Sequence, residues 1–336
     1  MRCVDVLVLV LALAGLSMAA AEKISVKGNQ LVNEKGQPLK LRGINYFGFN
    51  NGQTMVYRMQ LLGFNAVRLP FSFKDFNLKG RTDYIWCREA SASEIRRTVS
   101  PPGFVPWSKP LPPPRAPLLV GGGRCNIGMP NNVFDRFLWV INYFAKAGFK
   151  IVIDNHVWLE DPTAYENPKL WVDSWQKLAA AVSKDPISRG VVMYDLVNEP
   201  DNKRIFWTER KGRPSLAKLY FDAMDAIQRP PGLYRRMSDS FGYLSTKGYC
   251  GKNKCLKWPV LLGEFSAPHS GAPQDTNAVE GLVKYINNEG DAKDGRHEPI
   301  NLWFFWTWNN NSPDTNGGIV KENWADIGEG KARSMA

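Results

Sequence analysis

The sequence predicts an α/β chain built around a parallel sheet. Short apolar runs rich in β-branched and aromatic residues recur at Leu39–Phe47, Ala66–Phe71, Lys150–His156, Val191–Val197, Pro259–Phe265 and Leu302–Trp308. Most are separated by stretches with helical spacing, and strands alternating with helices indicate parallel pairing. Several runs are apolar almost throughout, as expected of strands covered on both faces.

Taken in order, residues 1–21 read as a secretory signal. Arg2 supplies a positive start, Val4 to Leu16 are mostly apolar, and Ala19-Ala20-Ala21 offers a cleavage site. The apolar run is shorter than the roughly 20 residues a membrane span needs. A soluble, secreted chain of one domain is expected over 22–336, with no membrane contact after cleavage. Ile24 to Gly43 alternates apolar and polar residues around turn signals and reads as an N-terminal β-hairpin.

The helices carry their own markers. In "NNVFDRFLWVINYFAKAG", Phe134, Phe137, Leu138, Ile141 and Phe144 share a face, Asn132 can cap the start and Gly148 ends the run. "SLAKLYFDAMDAIQ" places Leu216, Leu219, Ala223, Met224 and Ile227 at the same spacing, and "GLYRRMSDSFGYL" does so with Leu233, Met237, Phe241 and Leu244. Residues 81–129 interrupt the alternation with a Pro-dense stretch ending in three glycines. Because the alternation resumes afterwards, this is an insertion loop at the C-terminal end of the second strand.

Composition narrows the function. The chain has 336 residues, 44% of them hydrophobic, with 12 Trp and 11 Tyr. That is enough for a large core and for rings that stack on a flat ligand. The formal charge is +11 without any Lys/Arg-rich run. A dispersed surface charge on an exported chain does not point to nucleic acid. Cys3 leaves with the signal, and Cys87, Cys125, Cys250 and Cys255 remain. An even count in an oxidising compartment suggests two disulfides. We expect Cys250–Cys255 across the short "CGKNKC" loop and Cys87–Cys125 across the long insertion. The cysteine spacing is unlike a zinc site, and neither metal nor cofactor is expected.

Chemistry enters at the strand ends. Asn45, Arg68, the trio Asp154, Asn155 and His156, the pair Asn198 and Glu199, and Glu264 all sit at or near the C-terminal ends of the runs. Trp306 and Trp308 close the last one, directly before Asn309, Asn310 and Asn311. One acid at a strand end is ordinarily a helix cap or a salt-bridge partner. Six polar ends in succession suggest groups converging on one mouth, as in a parallel (β/α)8 barrel. Glu199 and Glu264 could then face each other, and two carboxyl groups flanking a bond are the toolkit of glycoside hydrolysis.

The motifs "RGINYFG", "AVRLPF", "VIDNH", "NEP", "GEF" and "WFFWTWNNNSPDTNGGIV", in that order, resemble glycoside hydrolase family 5, the cellulase family. The match is closest to its plant and lower-eukaryote secreted members and covers about Leu31 to Ile327 with interruptions. It implies a (β/α)8 TIM barrel of glycosidase type that hydrolyses O-glycosyl bonds of β-linked polysaccharide with retention. It assigns Glu199 as general acid/base and Glu264 as nucleophile. Asn198 would bond the sugar 2-hydroxyl, Arg68 would keep the nucleophile ionised, and His156 would line the cleft. Trp306 would stack under the sugar, with Trp308 nearby.

The sequence departs from the family between Pro200 and Pro259. A full barrel needs two further strands there, yet only two helical patterns are legible, joined by "RPPG" at Arg229 to Gly232. The family's His-any-Tyr motif after strand six is also absent. The expected barrel is therefore incomplete, with six recognisable strands and an apparent deletion at about 228–232. Two functions follow. One is a secreted endo-β-1,4-glucanase, with β-mannan as the alternative substrate. The other is a carbohydrate-binding barrel fragment impaired in turnover. The sequence leaves oligomeric state undetermined.

Overall fold

Six of the apolar runs form one parallel sheet. The computed structural model describes residues 22–47, 53–77, 86–87, 91–99, 123–124, 129–156, 167–200, 249–251, 254–257, 259–266, 299–312, 317–323 and 326–328, apart from scattered single positions. The chain opens with a hairpin, β1 (Ser25–Lys27) and β2 (Gln30–Val32), paired antiparallel. There follow β3 (Leu41–Asn45), α1 (Gln53–Leu61) and β4 (Ala66–Phe71). The insertion contributes β5 (Trp86–Cys87), α2 (Ala92–Val99) and β6 (Gly123–Arg124). Then come α3 (Val133–Lys146), β7 (Lys150–Asn155), α4 (Pro168–Lys184) and β8 (Val192–Asp195). The last strands are β9 (Tyr249–Gly251), β10 (Lys254–Leu256), β11 (Leu262–Phe265) and β12 (Leu302–Phe305).

The sheet runs β11-β12-β3-β4-β7-β8, parallel throughout. Spatial order follows chain order around a ring, and the last strand returns to pair with β3, as barrel closure requires. Among the described residues the ring is open only between β8 and β11. That is where the sequence has room for helices but no apolar runs. The sheet is an incomplete (β/α)8 barrel.

Alternation along each strand sorts the side chains. Val67, Leu69, Phe71, Ile151 and Ile153 face outward and pack with α1, α3 and α4 in the main core. Leu41, Ala66, Val152, Leu302 and Phe304 face inward, where Leu31 of the hairpin joins them and closes the N-terminal mouth. Phe304 fits because Gly43 has no side chain: a Cβ there would lie 2.1 Å from the ring.

The helices form for local reasons. Asn132 caps α3 by accepting from the Asp135 amide at 3.0 Å, and Gly148 ends the turn at φ 88°. Phe137, Ile141 and Phe144 are buried, each stabilising by about 1.5–3 kcal/mol. α4 is a helix beyond those expected, although Asn167-Pro168 is a strong start signal and Trp171, Trp175, Leu178 and Val182 form its buried stripe. The insertion is more ordered than expected. Ser91 and Glu94 cap α2 reciprocally, the Ser91 amide donating to Glu94 Oε2 at 2.7 Å and the Glu94 amide to Ser91 Oγ at 3.2 Å.

In the later part of the chain, Leu216, Leu219, Asp222 and Ala223 are helical, and the three apolar ones are buried. The join at 229–232, the helix expected from Leu233 to Leu244, and Cys125 lie outside the described residues. The β9–β10 hairpin sets Cys250 directly opposite Cys255. Such Cα partners are about 4.5–5.5 Å apart, a span a disulfide can bridge. No helix among the described residues is long and apolar enough to cross a membrane.

At the foot of β7, Lys150 is buried and donates to the Glu22 carbonyl. Burial pushes its ammonium down to about 8 despite Glu22 and Glu34. The unfolded chain keeps the ordinary value of 10.5, so above about 8 it binds more protons than the folded chain. Stability should therefore rise with pH in that window. The melting midpoint is expected to climb from pH 8 to 9.5, and Lys150→Met should flatten that climb. Parallel curves for the two proteins would show that Lys150 is not responsible.

Candidate active site

Above the inward apolar layer, toward the strand C-terminal ends, the interior turns polar. Asn45 ends β3, Arg68 lies on β4, Asp154 on β7, Asp195 ends β8, and Glu264 lies on β11. Each inward position is fixed by alternation except Glu264. There the pairing of β11 with β12 slips: Leu262 pairs Trp303 and Phe265 pairs Phe305, so three steps on one strand match two on the other. Gly263 and Glu264 together oppose Phe304. Such a bulge re-aims a side chain, and it brings Glu264 to Arg68.

Arg68 is the hub, only 2% exposed. Its Nη1 donates to Asn45 Oδ1 at 3.0 Å and also to Glu264 Oε1. Nε and Nη2 donate to Asp195 Oδ2 at 3.1 and 2.8 Å. Nη2 further reaches Asn198 Oδ1 and Asp154 Oδ2, each at 3.1 Å. Burial opposes the guanidinium charge, but Asp154, Asp195 and Glu264 outweigh it and hold its pKa above the ordinary value. Asp154 is fully buried, and burial pushes its carboxyl upward against the pull of Arg68. Asn45 also donates to the carbonyls of Gly263 at 3.0 Å and Phe305 at 3.3 Å, tying three strands together.

His156 follows β7. Its Nδ1 lies 2.8 Å from Asp154 Oδ2 and 3.8 Å from Glu264 Oε1, and its Nε2 lies 3.4 Å from Asn198 Nδ2. Its ring lies nearly parallel to Trp306, 5.5 Å between centroids at 10°. Trp306 in turn stacks with Phe47 at 5.7 Å and donates from Nε1 to Ser312 Oγ at 3.0 Å.

Asn198 and Glu199 leave β8 at the rim. The Asn198 amide donates to the Asn155 carbonyl at 3.1 Å. Glu199 is exposed and has φ 42°, a left-handed conformation that costs a non-glycine residue about 1–3 kcal/mol and clusters at functional sites. Glu264 is recessed by comparison, its side chain 26% exposed.

The structure thus gathers Arg68, His156, Asn198 and Glu264 into one hydrogen-bonded group, with Glu199 next to Asn198 and Trp306 against His156. It corrects the placement of Trp308, which is 0% exposed and donates from Nε1 to Met55 Sδ at 3.1 Å. Two residues on from Trp306, its side chain enters the core instead of the cleft. Asp195 joins the group without having been expected there. Its signal was an acid inside the apolar run "MYDLV", on the same strand face as Met193. Asp154, His156 and Glu264 also bring ligand-type atoms within 4.8 Å of one another. The positive charge among them is already that of Arg68.

Residues 115–229 match the family model for cellulase, glycosyl hydrolase family 5. The chain is 25% identical to the major extracellular endoglucanase of Xanthomonas campestris pv. campestris, covering 96% of this chain and 73% of that protein. It is 23% identical to an endoglucanase of Paenibacillus polymyxa, covering 95% and 89%. These alignments run over 398 and 411 positions against 336 residues here, so both relatives carry residues this chain lacks. The fold is similar to an endocellulase from Pyrococcus horikoshii, studied in complex with cellotetraose. The TM-score is 0.58 at 17% identity, covering 94% of this chain and 98% of that one. It is also similar to a β-glucanase from Saccharophagus degradans, with TM-score 0.53 at 14% identity, covering 94% and 93%. In its motifs, its barrel and the residues matched by the family model, the chain is similar to the cellulase family, glycosyl hydrolase family 5.

Proposed function

We propose that this chain is an endo-β-1,4-glucanase that works by double displacement with retention. The observation that carries this reading is the pair of contrasting carboxyl groups. Glu264 is recessed and clamped by a buried guanidinium, while Glu199 stands exposed at the rim. In the first step Glu264 attacks the anomeric carbon as the glycosidic bond breaks, and Glu199 gives its proton to the departing oxygen. In the second, Glu199 takes a proton from water, water attacks the same carbon, and Glu264 leaves. Asn198 is assigned to the sugar 2-hydroxyl and Trp306 to the sugar face. The signal-like residues 1–21 and the extracellular relative support secretion.

A second reading comes from the opening between β8 and β11 and the longer relatives: a barrel that binds β-glucan without turning it over. One assay separates the readings. Reducing-sugar release is followed on carboxymethylcellulose and on β-mannan, with proton NMR of the first-formed anomer and calorimetric titration of cellotetraose. We expect turnover of the glucan with β-anomer appearing first. Faster mannan cleavage would replace the substrate, α-anomer first would replace the mechanism, and binding without release would establish the second reading.

A further inference from the structure

The proposed steps use Glu199, Glu264, Asn198 and Arg68 but give Asp154 no task. We infer that Asp154 is a positioning residue: it sets the proton order of a ring of polar contacts, Arg68–Asp154–His156–Asn198, closed by the Arg68–Asp154 ion pair, and thereby fixes which way the Asn198 amide faces. The inference rests on the reading of Asn198 as a sugar contact.

The direction of every bond in the ring follows from donor chemistry. A guanidinium has no acceptor, so Arg68 Nη2 donates to Asp195 Oδ2 at 2.8 Å and to Asn198 Oδ1 at 3.1 Å, and it faces Asp154 Oδ2 as an ion pair at 3.1 Å. Asp154 Oδ2 is then an acceptor. His156 Nδ1, 2.8 Å from the same oxygen, must carry the hydrogen. A neutral imidazole has one donor and one acceptor, so His156 Nε2 is left to accept. What faces it at 3.4 Å is the donor end of the Asn198 amide. Flipping that amide would set its oxygen against the Nε2 lone pair and its hydrogens against Arg68. Both contacts would then repel.

Asp154 governs this order because its Oδ2 stands within hydrogen-bond distance of Nδ1, at 2.8 Å, whereas Glu264 Oε1 stands 3.8 Å away. Asp154 is 0% exposed, and its other oxygen, Oδ1, is buried and accepts nothing among the described residues. Its influence therefore passes through Oδ2. The ring also settles the His156 plane, against which Trp306 lies at 10°. One buried carboxylate thus orients a sugar-binding amide and a stacking ring from beneath.

The test needs no turnover. The chain has three histidines, and His156→Gln identifies the His156 signal in two-bond proton–nitrogen spectra. At pH 8, where histidine is ordinarily neutral, wild-type His156 should show the Nδ1–H tautomer. Asp154→Ala should convert it mainly to the Nε2–H tautomer. Asp154→Asn can still present an oxygen and should retain Nδ1–H. Nε2–H in the wild type, or no change in Asp154→Ala, would overturn the inference. If Asp154→Ala fails to fold, the wild-type and Asp154→Asn spectra still decide. Where the wild type turns over glucan, Asp154→Ala should lower kcat at least about tenfold and Asp154→Asn should recover most of it. Equal kcat in all three would also count against the role. An inactive wild type would defeat the glucanase reading and leave the spectra to judge Asp154.

Discussion

Glu264→Gln should abolish release of reducing sugar from carboxymethylcellulose, while Glu199→Gln lowers it by about 10²–10⁴-fold, the range typical of a lost general acid/base. The two acids are expected to separate further on an aryl cellobioside with a nitrophenyl leaving group. That group departs without a proton, so Glu199→Gln should still give a burst of nitrophenol equal to the enzyme concentration, followed by slow turnover. Glu264→Gln should give no burst, since no carboxylate remains to form the covalent intermediate. The geometry explains the asymmetry. Glu264 sits against Arg68 and 3.8 Å from His156 Nδ1, whereas Glu199 is exposed at the rim. Wild-type activity in either variant would remove that residue from the mechanism.

The second large effect concerns stability. Arg68→Met is expected to destabilise the fold by about 3–5 kcal/mol, the usual cost of removing one partner from a buried charge cluster. Asp154, Asp195 and Glu264 would lose their shared cation. Because Asp195 and Glu264 are 31% and 26% exposed, water screens part of the loss and the lower end of that range is expected. The pH dependence follows from the same cluster. Without Arg68, the folded-state pKa of Asp154, already pushed up by burial, rises further. The folded variant then binds protons that the unfolded chain has released, so its stability falls as pH rises. The deficit against wild type should be largest near pH 7 and shrink toward pH 4 in urea unfolding. A pH-independent deficit would mean that lost packing, not charge, sets the cost.

The opening between β8 and β11 gives this second prediction added weight. These are the two edge strands of the sheet, and Arg68 touches Asp195 on one and Glu264 on the other. A single side chain on β4 therefore links both ends of the described sheet at the rim where catalysis is proposed.

Much of this was legible along the chain. The run Ala66–Phe71 is the strand observed, Asn132 caps its helix as expected, and all six strand candidates joined one parallel sheet. Among the described residues no strand of the sheet lies between β8 and β11, where the sequence also lacks apolar runs. The ordered pieces of the insertion were harder to see. A two-residue strand such as Trp86–Cys87 has too few positions to show a period, and the capping pair Ser91 and Glu94 was hidden among prolines and charges.

The linear chain carries the list of parts: parallel strands, capped helices, an N-terminal hairpin, and acids and amides at strand ends. These are short-range properties, written in spacing and in residue type over a few positions. Which of those groups meet is settled by the packing of distant segments. Alternation alone would have turned Glu264 away from the interior, and the bulge against β12 turned it back. Trp306 and Trp308, two residues apart, went to the cleft and to the core. Asp195 acquired a partner 127 positions away. The curl of the sheet and the slip of one strand pair set these meetings, and both arise from contacts between segments that no local stretch of sequence contains.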